Sequence, residues 1–261
     1  MGYNTKIDWC DTSWNPVTGC LHDCEYCYAR GIANRFNGGF DFKARGIFLP
    51  EYNESIFVVD NPGRLQDGKK AVYPFGFSPT LRLDRLNVPE SWTQPRTIFV
   101  CSMADLFGEW VPDEWIKAVF DACDKAPQHR YLFLTKNPAR YISMSEKGML
   151  PSKHWYGYSA TTDDDLWTFH HADDCPVKNL FVSVEPIHDR LITPFSTHCP
   201  ADWVIIGAET GNCKNKIIPK RSWITEIADH CEMMSIPVFM KESVKELMGC
   251  DFKQQFPWEV G

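Results

Sequence analysis

From about residue 97 onward, short uncharged runs rich in β-branched and aromatic residues alternate with stretches whose apolar positions recur every three to four residues. That alternation predicts repeated β-α units built on parallel strands. Six runs read as strands: Thr97 to Ser102, Arg130 to Lys136, His154 to Ala160, Asn179 to Glu185, Asp202 to Glu209 and Ile236 to Glu242. They stay apolar at successive positions, as strands buried on both faces require. Between them, Trp115, Val119, Phe120 and Cys123 make one helical stripe after Pro112, with Asp113 and Glu114 in the first turn, where the helix dipole favours carboxylates. Asn137 and Pro138 predict the start of a second helix ending near Gly148. Ser222 is expected to cap a third, whose Ile224, Ile227, Ala228 and Cys231 face a core.

The N-terminal third is patterned less regularly. A first strand is expected at Lys6 to Trp9, leading into a cysteine loop, then a helix from about Tyr28 and a further strand within Ser78 to Leu83. Residues 37–77 are rich in Gly, Pro and aromatics without a clean period, and read as a lid or insertion on a single domain covering 1–261. The fold class expected is α/β, a partial or near-complete parallel (β/α) barrel, which 261 residues accommodate as one unit.

Composition narrows the setting. With 44% hydrophobic residues and no polar low-complexity run, the chain has material for a sizeable core. No apolar run approaches the roughly 20 residues that span a bilayer, and the N-terminus carries no signal-peptide core. The expectation is a cytoplasmic protein with no membrane contact. A net charge of −7 argues against a broad nonspecific nucleic-acid surface and leaves a local basic patch as the form such contact would take. Of eleven cysteines, Cys10, Cys101, Cys123, Cys175, Cys199, Cys213, Cys231 and Cys250 are scattered, and read mostly as small buried apolar groups.

Each apolar run of the second half ends in polar residues: Ser102 with Asp105, Thr135 with Lys136, Ser159 with Thr161, Ser183 with Glu185, then Glu209, then Lys241 with Glu242. Sites of parallel barrels collect at the C-terminal ends of strands, so these are candidates for a shared site; for any single one, strand-end solvation or helix capping is the alternative.

The remaining cysteines are concentrated. Cys20, Cys24 and Cys27 lie within "GCLHDCEYCYAR", from Gly19 to Arg30. Three thiols so close converge only if the loop wraps around what they hold, and thiolates favour soft metals. A structural zinc site normally takes four protein ligands, often as two pairs, and no second pair is present; His22, between two of the cysteines, is badly placed for the same ion. A 4Fe–4S cubane held by three cysteines instead leaves one iron open to a small molecule. Zinc, a redox site or unconnected thiols stay as alternatives.

The C-x3-C-x2-C spacing, with aromatic Tyr26 before the last cysteine, resembles the radical S-adenosylmethionine (SAM) superfamily. The segments around "TKIDWCDTSWNPVTGC", "IFVCSMADLF", "LTKNPAR", "VSVEPI", "WVIIGAETG" and "VFMKE" are together similar to a phage- and prophage-associated radical-SAM-like family whose function is unknown. The resemblance implies a radical SAM-type barrel, Cys20, Cys24 and Cys27 as ligands of a 4Fe–4S cluster, and SAM on the open iron. Its reductive cleavage, fed by an external one-electron donor of the flavodoxin or ferredoxin type, would give methionine and a 5′-deoxyadenosyl radical that abstracts hydrogen from a substrate. Tyr26 matches the position whose backbone approaches adenine. The superfamily's glycine-glycine-glutamate element has no evident match, so by strand-end position Ser102, Ser159 and Glu185 are assigned to ribose or amino-acid recognition and Lys136 to a carboxylate. Glu185, Glu209 and Lys241 are the candidate catalytic groups.

Lys214, Lys216, Lys220 and Arg221 follow a strand end and are candidates for phosphate contact, a solvated basic loop being the plain alternative. The phage resemblance implies a nucleotide or DNA substrate, modified by an isomerase or related enzyme, or repaired in the manner of spore-photoproduct lyase. Two other classes are open: a nucleic-acid-binding module with a structural metal, and an electron carrier or scaffold that keeps its cluster. A second cluster on Cys175, Cys199, Cys213 or Cys231 is disfavoured because no two have chelating proximity in sequence.

Overall fold

The computed structural model describes residues 5–39, 43–61, 63–170, 177–191, 201–210 and 216–259. The chain divides into two compact units, Met1–Thr135 and Lys136–Gly261. Both are built on parallel strands, so the fold is α/β.

Unit 1 runs β1 (Thr12–Trp14), β2 (Val17–Thr18), α1 (Tyr28–Arg35), β3 (Lys43–Leu49), β4 (Glu54–Asn61), β5 (Thr80–Arg82), β6 (Thr97–Val100), α2 (Asp113–Lys125) and β7 (Arg130–Thr135). β6 lies between β1 and β7 and parallel to both, with Ile98 in register with Thr12 on one side and Tyr131 on the other. All four β6 residues are buried, as the uninterrupted apolar run predicts. The stripe of α2 covers these strands: Phe120 meets Phe107 and the β7 residue Phe133, with ring centroids 6.3 and 5.3 Å away. Burying each such side chain stabilises by roughly 1.5–3 kcal/mol.

Residues 37–77 contribute to a second sheet, ordered β2, β5, β4, β3. β3 and β4 form an antiparallel hairpin that turns through Pro50–Tyr52, and β4 then pairs parallel with β5. Its joint with β5 is sealed by Arg82, only 2% exposed, which grips Asp84 through two bonds of 2.9 and 3.1 Å and donates to the Val72 carbonyl at 2.6 Å. A guanidinium is tolerated at that depth because it is paired. The first strand is β1, not Lys6 to Trp9: the apolar signal there comes from Trp9, which reaches the core from a turn and packs on Phe99, centroids 4.6 Å apart.

Unit 2 runs α3 (Ala139–Glu146), β8 (Trp155–Ser159), α4 (Asp163–His170), β9 (Leu180–Val184), β10 (Trp203–Ile206), α5 (Arg221–Met233), β11 (Val238–Met240) and α6 (Lys245–Met248). Four parallel strands lie in chain order, and Ile205 of β10 is in register with Ser183 of β9 and Phe239 of β11. Val182, Val204, Ile206 and Met240 share one core with Ile224, Ile227, Ala228 and Cys231 of α5. That helix begins at Arg221 with Lys220 as its cap residue, so Ser222 lies inside the first turn and does not cap it. Among the described residues no helix is long and apolar enough to cross a membrane.

Candidate functional site

The cysteine loop begins where β2 ends. Gly19, at φ +90°, passes so close to the 77–78 backbone that a Cβ would lie 2.3 Å from the Ser78 carbonyl oxygen; only glycine fits there. Its N–H donates to the Met103 carbonyl at 2.8 Å, and the Cys20 N–H donates to Phe77 at 3.1 Å. The loop closes on itself through Cys27 N–H to the Cys24 carbonyl, 3.1 Å, and Cys27 then caps α1, its sulfur accepting the Arg30 N–H at 3.4 Å. The cysteine run and the helix start are thus one local device.

All three loop cysteines are half-buried and in no disulfide. Burial pushes the Cys20 thiol up to about 12, and Asp105, Cys24 and Cys27 add to the rise against the opposing His22 backbone N–H. The thiol is therefore protonated at neutral pH in the metal-free chain, and any metal it takes must displace that proton. Among the described residues no three His, Cys, Asp or Glu side chains are gathered closely enough to hold a metal. In kind and in shared loop the donor set suits a thiophilic group.

Beside Cys20 lies a cavity of about 460 Å³, within the roughly 300–1,000 Å³ typical of small-molecule and cofactor pockets. One wall comes from the α1 side, where Arg30 and Asn34 stand one turn apart and Asn37 follows; Glu54 and the 74–78 loop supply much of the remainder. Arg30 sits over the Phe77 ring at 5.1 Å and pairs with Asp23 at 3.1 Å. Sequence reasoning missed Arg30, Asn34 and Asn37, although their spacing behind Cys27 was a usable signal. Tyr26, assigned to adenine, is half-buried in the same loop. Ser102 donates its hydroxyl to the Asn15 side-chain oxygen at 3.2 Å and accepts from the Tyr28 hydroxyl through its carbonyl at 2.8 Å.

Unit 2 brings other candidates together. Glu185 follows β9 and Lys241 follows β11, and the two form an ion pair across the end of β10. Gly207 makes the room: a Cβ there would lie 2.9 Å from Lys241 Cδ and 3.2 Å from Glu185 Cδ. Glu209 is buried, with His188, absent from the sequence reading, 3.7 Å away. Ser159 and Lys136 are half-buried in this unit.

The basic loop is only partly described. Lys214, with Cys175, Cys199 and Cys213, lies outside the described residues. Lys216 is exposed, Lys220 sits 5.4 Å from the Trp223 ring, and Arg221 pairs with Asp251. Of the scattered cysteines, Cys101, Cys123 and Cys231 are buried, Cys10 is half-buried and Cys250 is exposed.

Fold and loop together define an α/β protein with parallel strands and a tethered three-cysteine loop opening onto a polar cavity. Residues 4–247 match the family described as "Protein of unknown function (DUF5131)", and the chain belongs to that family. No curated protein and no solved structure matches it.

Proposed function

We propose that the protein is a radical SAM enzyme of partial (β/α)-barrel type, in which Cys20, Cys24 and Cys27 hold three irons of a 4Fe–4S cluster. The observation that carries this reading is the joining of a C-x3-C-x2-C loop to the wall of a 460 Å³ cavity through Cys20. Held by Cys20, Cys24 and Cys27, such a cluster would supply the electron for reductive cleavage of SAM to methionine and a 5′-deoxyadenosyl radical. The chain's own residues bind and orient. Arg30 offers positive charge to a carboxylate, Glu54 accepts from an ammonium, and Asn34 and Asn37 present amide donors and acceptors. Cys27 keeps the loop continuous with α1, so thiols and cavity wall hold a common register.

The substrate we infer is a nucleobase or DNA, with hydrogen abstraction as the first step on it and an isomerase, lyase or transferase outcome. Glu185, Glu209 and Lys241 are the proposed acid-base groups, and Lys216 with its basic neighbours the proposed phosphate contacts. A flavodoxin- or ferredoxin-type donor supplies the electron.

The test is anaerobic reconstitution with iron and sulfide, followed by mass spectrometry after adding SAM and dithionite. About four irons per chain, from the cubane stoichiometry, together with 5′-deoxyadenosine, are expected. A colourless, zinc-loaded protein that leaves SAM intact would overturn the reading in favour of a structural metal module. Iron without SAM cleavage would favour an electron carrier.

A further inference from the structure

Besides the Cys20 N–H bond to Phe77, the cysteine loop is bound at three points to one turn of the chain. Gly19 N–H donates to the Met103 carbonyl at 2.8 Å, the Tyr28 hydroxyl donates to the Ser102 carbonyl at 2.8 Å, and His22 Nε2 meets Asp105 Oδ2 at 2.7 Å. The tethers fall at residues 19, 22 and 28, so they bracket all three cysteines without using a sulfur. The turn is itself well fixed. Asn15 Oδ1 accepts from Met103 N–H at 2.9 Å and from the Ser102 hydroxyl at 3.2 Å, and Ala104 N–H donates to the Cys101 carbonyl at 3.0 Å.

Asp105 is the centre of this arrangement. Only 6% exposed, its carboxylate accepts from the Phe107 N–H at 3.0 Å and the Thr135 hydroxyl at 2.7 Å through Oδ1, leaving Oδ2 for His22. One buried carboxylate therefore joins the cysteine loop, the 102–107 turn and the end of β7. Bonds to an ionised acceptor in a low-dielectric setting are among the strong ones, and losing one strands a buried charge. The His22 ring also stands edge-on to Trp110 with centroids 4.8 Å apart, which limits its rotation.

We propose that residues 102–105 are the template of the cysteine loop, and that His22, acting through Asp105, is the positioning residue that holds Cys20 and Cys24 in register for their shared ligand. What the fixed loop serves rests on the cluster reading above; the tether does not. His22 is on this account no metal ligand, although it sits between two of them in sequence. Its ring nitrogen is committed to the carboxylate that anchors the loop.

Hydrogen exchange of the metal-free chain tests the tether apart from the cluster. His22→Phe keeps a ring against Trp110 but removes the donor, and is expected to lower protection of the Gly19, Cys20 and Cys27 amides about tenfold. His22→Gln carries an amide N–H near the position of Nε2 and should restore it. Asp105→Asn combined with His22→Phe should lower protection by less than the sum of the two single changes, because the His22–Asp105 bond is the part they share. Wild-type protection in His22→Phe, or full additivity in the double variant, would overturn the proposal. Where wild-type chain takes up iron and sulfide, His22→Phe should load less and His22→Gln near normally. Equal loading of all three would overturn the positioning role, whereas failure of wild-type loading with the exchange pattern intact would count against the cluster reading alone.

Discussion

The cysteine loop of unit 1 and the strand-end pair of unit 2 are built on opposite plans. Around the thiols, backbone donors, a buried carboxylate and a histidine carry most of the structural load, the sulfur of Cys27 adding only the cap of α1. At the ends of β9 and β11, Glu185 and Lys241 neutralise one another over Gly207, so their structural role and any chemical one reside in the same atoms. A group supported by its surroundings can be removed with little harm to the fold. One that is its own support cannot.

This contrast can be broken experimentally, most sharply at the thiols. Replacing Cys20, Cys24 or Cys27 singly by Ala should abolish SAM cleavage and sharply reduce iron uptake while leaving the melting temperature within a few degrees; iron analysis and calorimetry read both, and retained cleavage would refute the ligand assignment. Next in size, Gly207→Ala drives a methyl into the Glu185–Lys241 pair and should cost about 1–3 kcal/mol as overpacking. Chemical denaturation measures it, and an unchanged midpoint would mean that the pair gives way freely. Glu185→Gln leaves the ammonium of Lys241, 16% exposed, without its counter-charge. A loss of about 1–2 kcal/mol is expected, below the full cost of breaking a dry pair because the site is partly solvated. Turnover should fall with iron content unchanged, so full activity would remove Glu185 from the proposed chemistry.

The smallest effect sharpens the comparison with a group in the first turn of α4 whose work is plainly structural. Asp165 Oδ2 accepts from the Thr161 and Thr162 N–H groups at 2.6 and 2.9 Å and from both hydroxyls, reaching back over the start of α4 as a capping box does. Burial would raise its carboxyl, but these hydrogen bonds outweigh burial and hold it below the usual value. A depressed carboxyl contributes stability that is present above its unfolded pKa and lost as pH falls through the folded one. Asp165→Asn should therefore cost about 1 kcal/mol at pH 7. The deficit should shrink below about pH 3.9, the ordinary Asp value, as urea titrations at several pH values would show.

Much of the architecture could be read from the chain because buried parallel strands leave an unmistakable apolar trace. β6 to β11 and the stripes of α2 and α5 lie where that trace puts them. The N-terminal third resisted for two physical reasons. β1 is three residues long, and nearby Trp9 serves the core from a turn, so hydrophobicity there reports burial without extension. β3 is exposed at six of its seven positions, so no alternation marks the hairpin. At the site, cysteine spacing gave the loop, and polar strand ends gave Glu185 and Lys241 as separate candidates but not their pairing. The His22–Asp105 bond spans 83 residues and leaves no local signature. The cavity wall of Arg30, Asn34 and Asn37 went unread because the expected helix from Tyr28 says nothing of the 74–78 loop that faces it.

Because the sulfur of Cys27 also receives the Arg30 N–H, whatever bonds to that sulfur is felt at once in the first turn of α1. The Arg30 amide resonance is a built-in reporter, set to shift with occupancy before any turnover occurs. Arg30 also lines the cavity, so one residue adjoins both halves of the site.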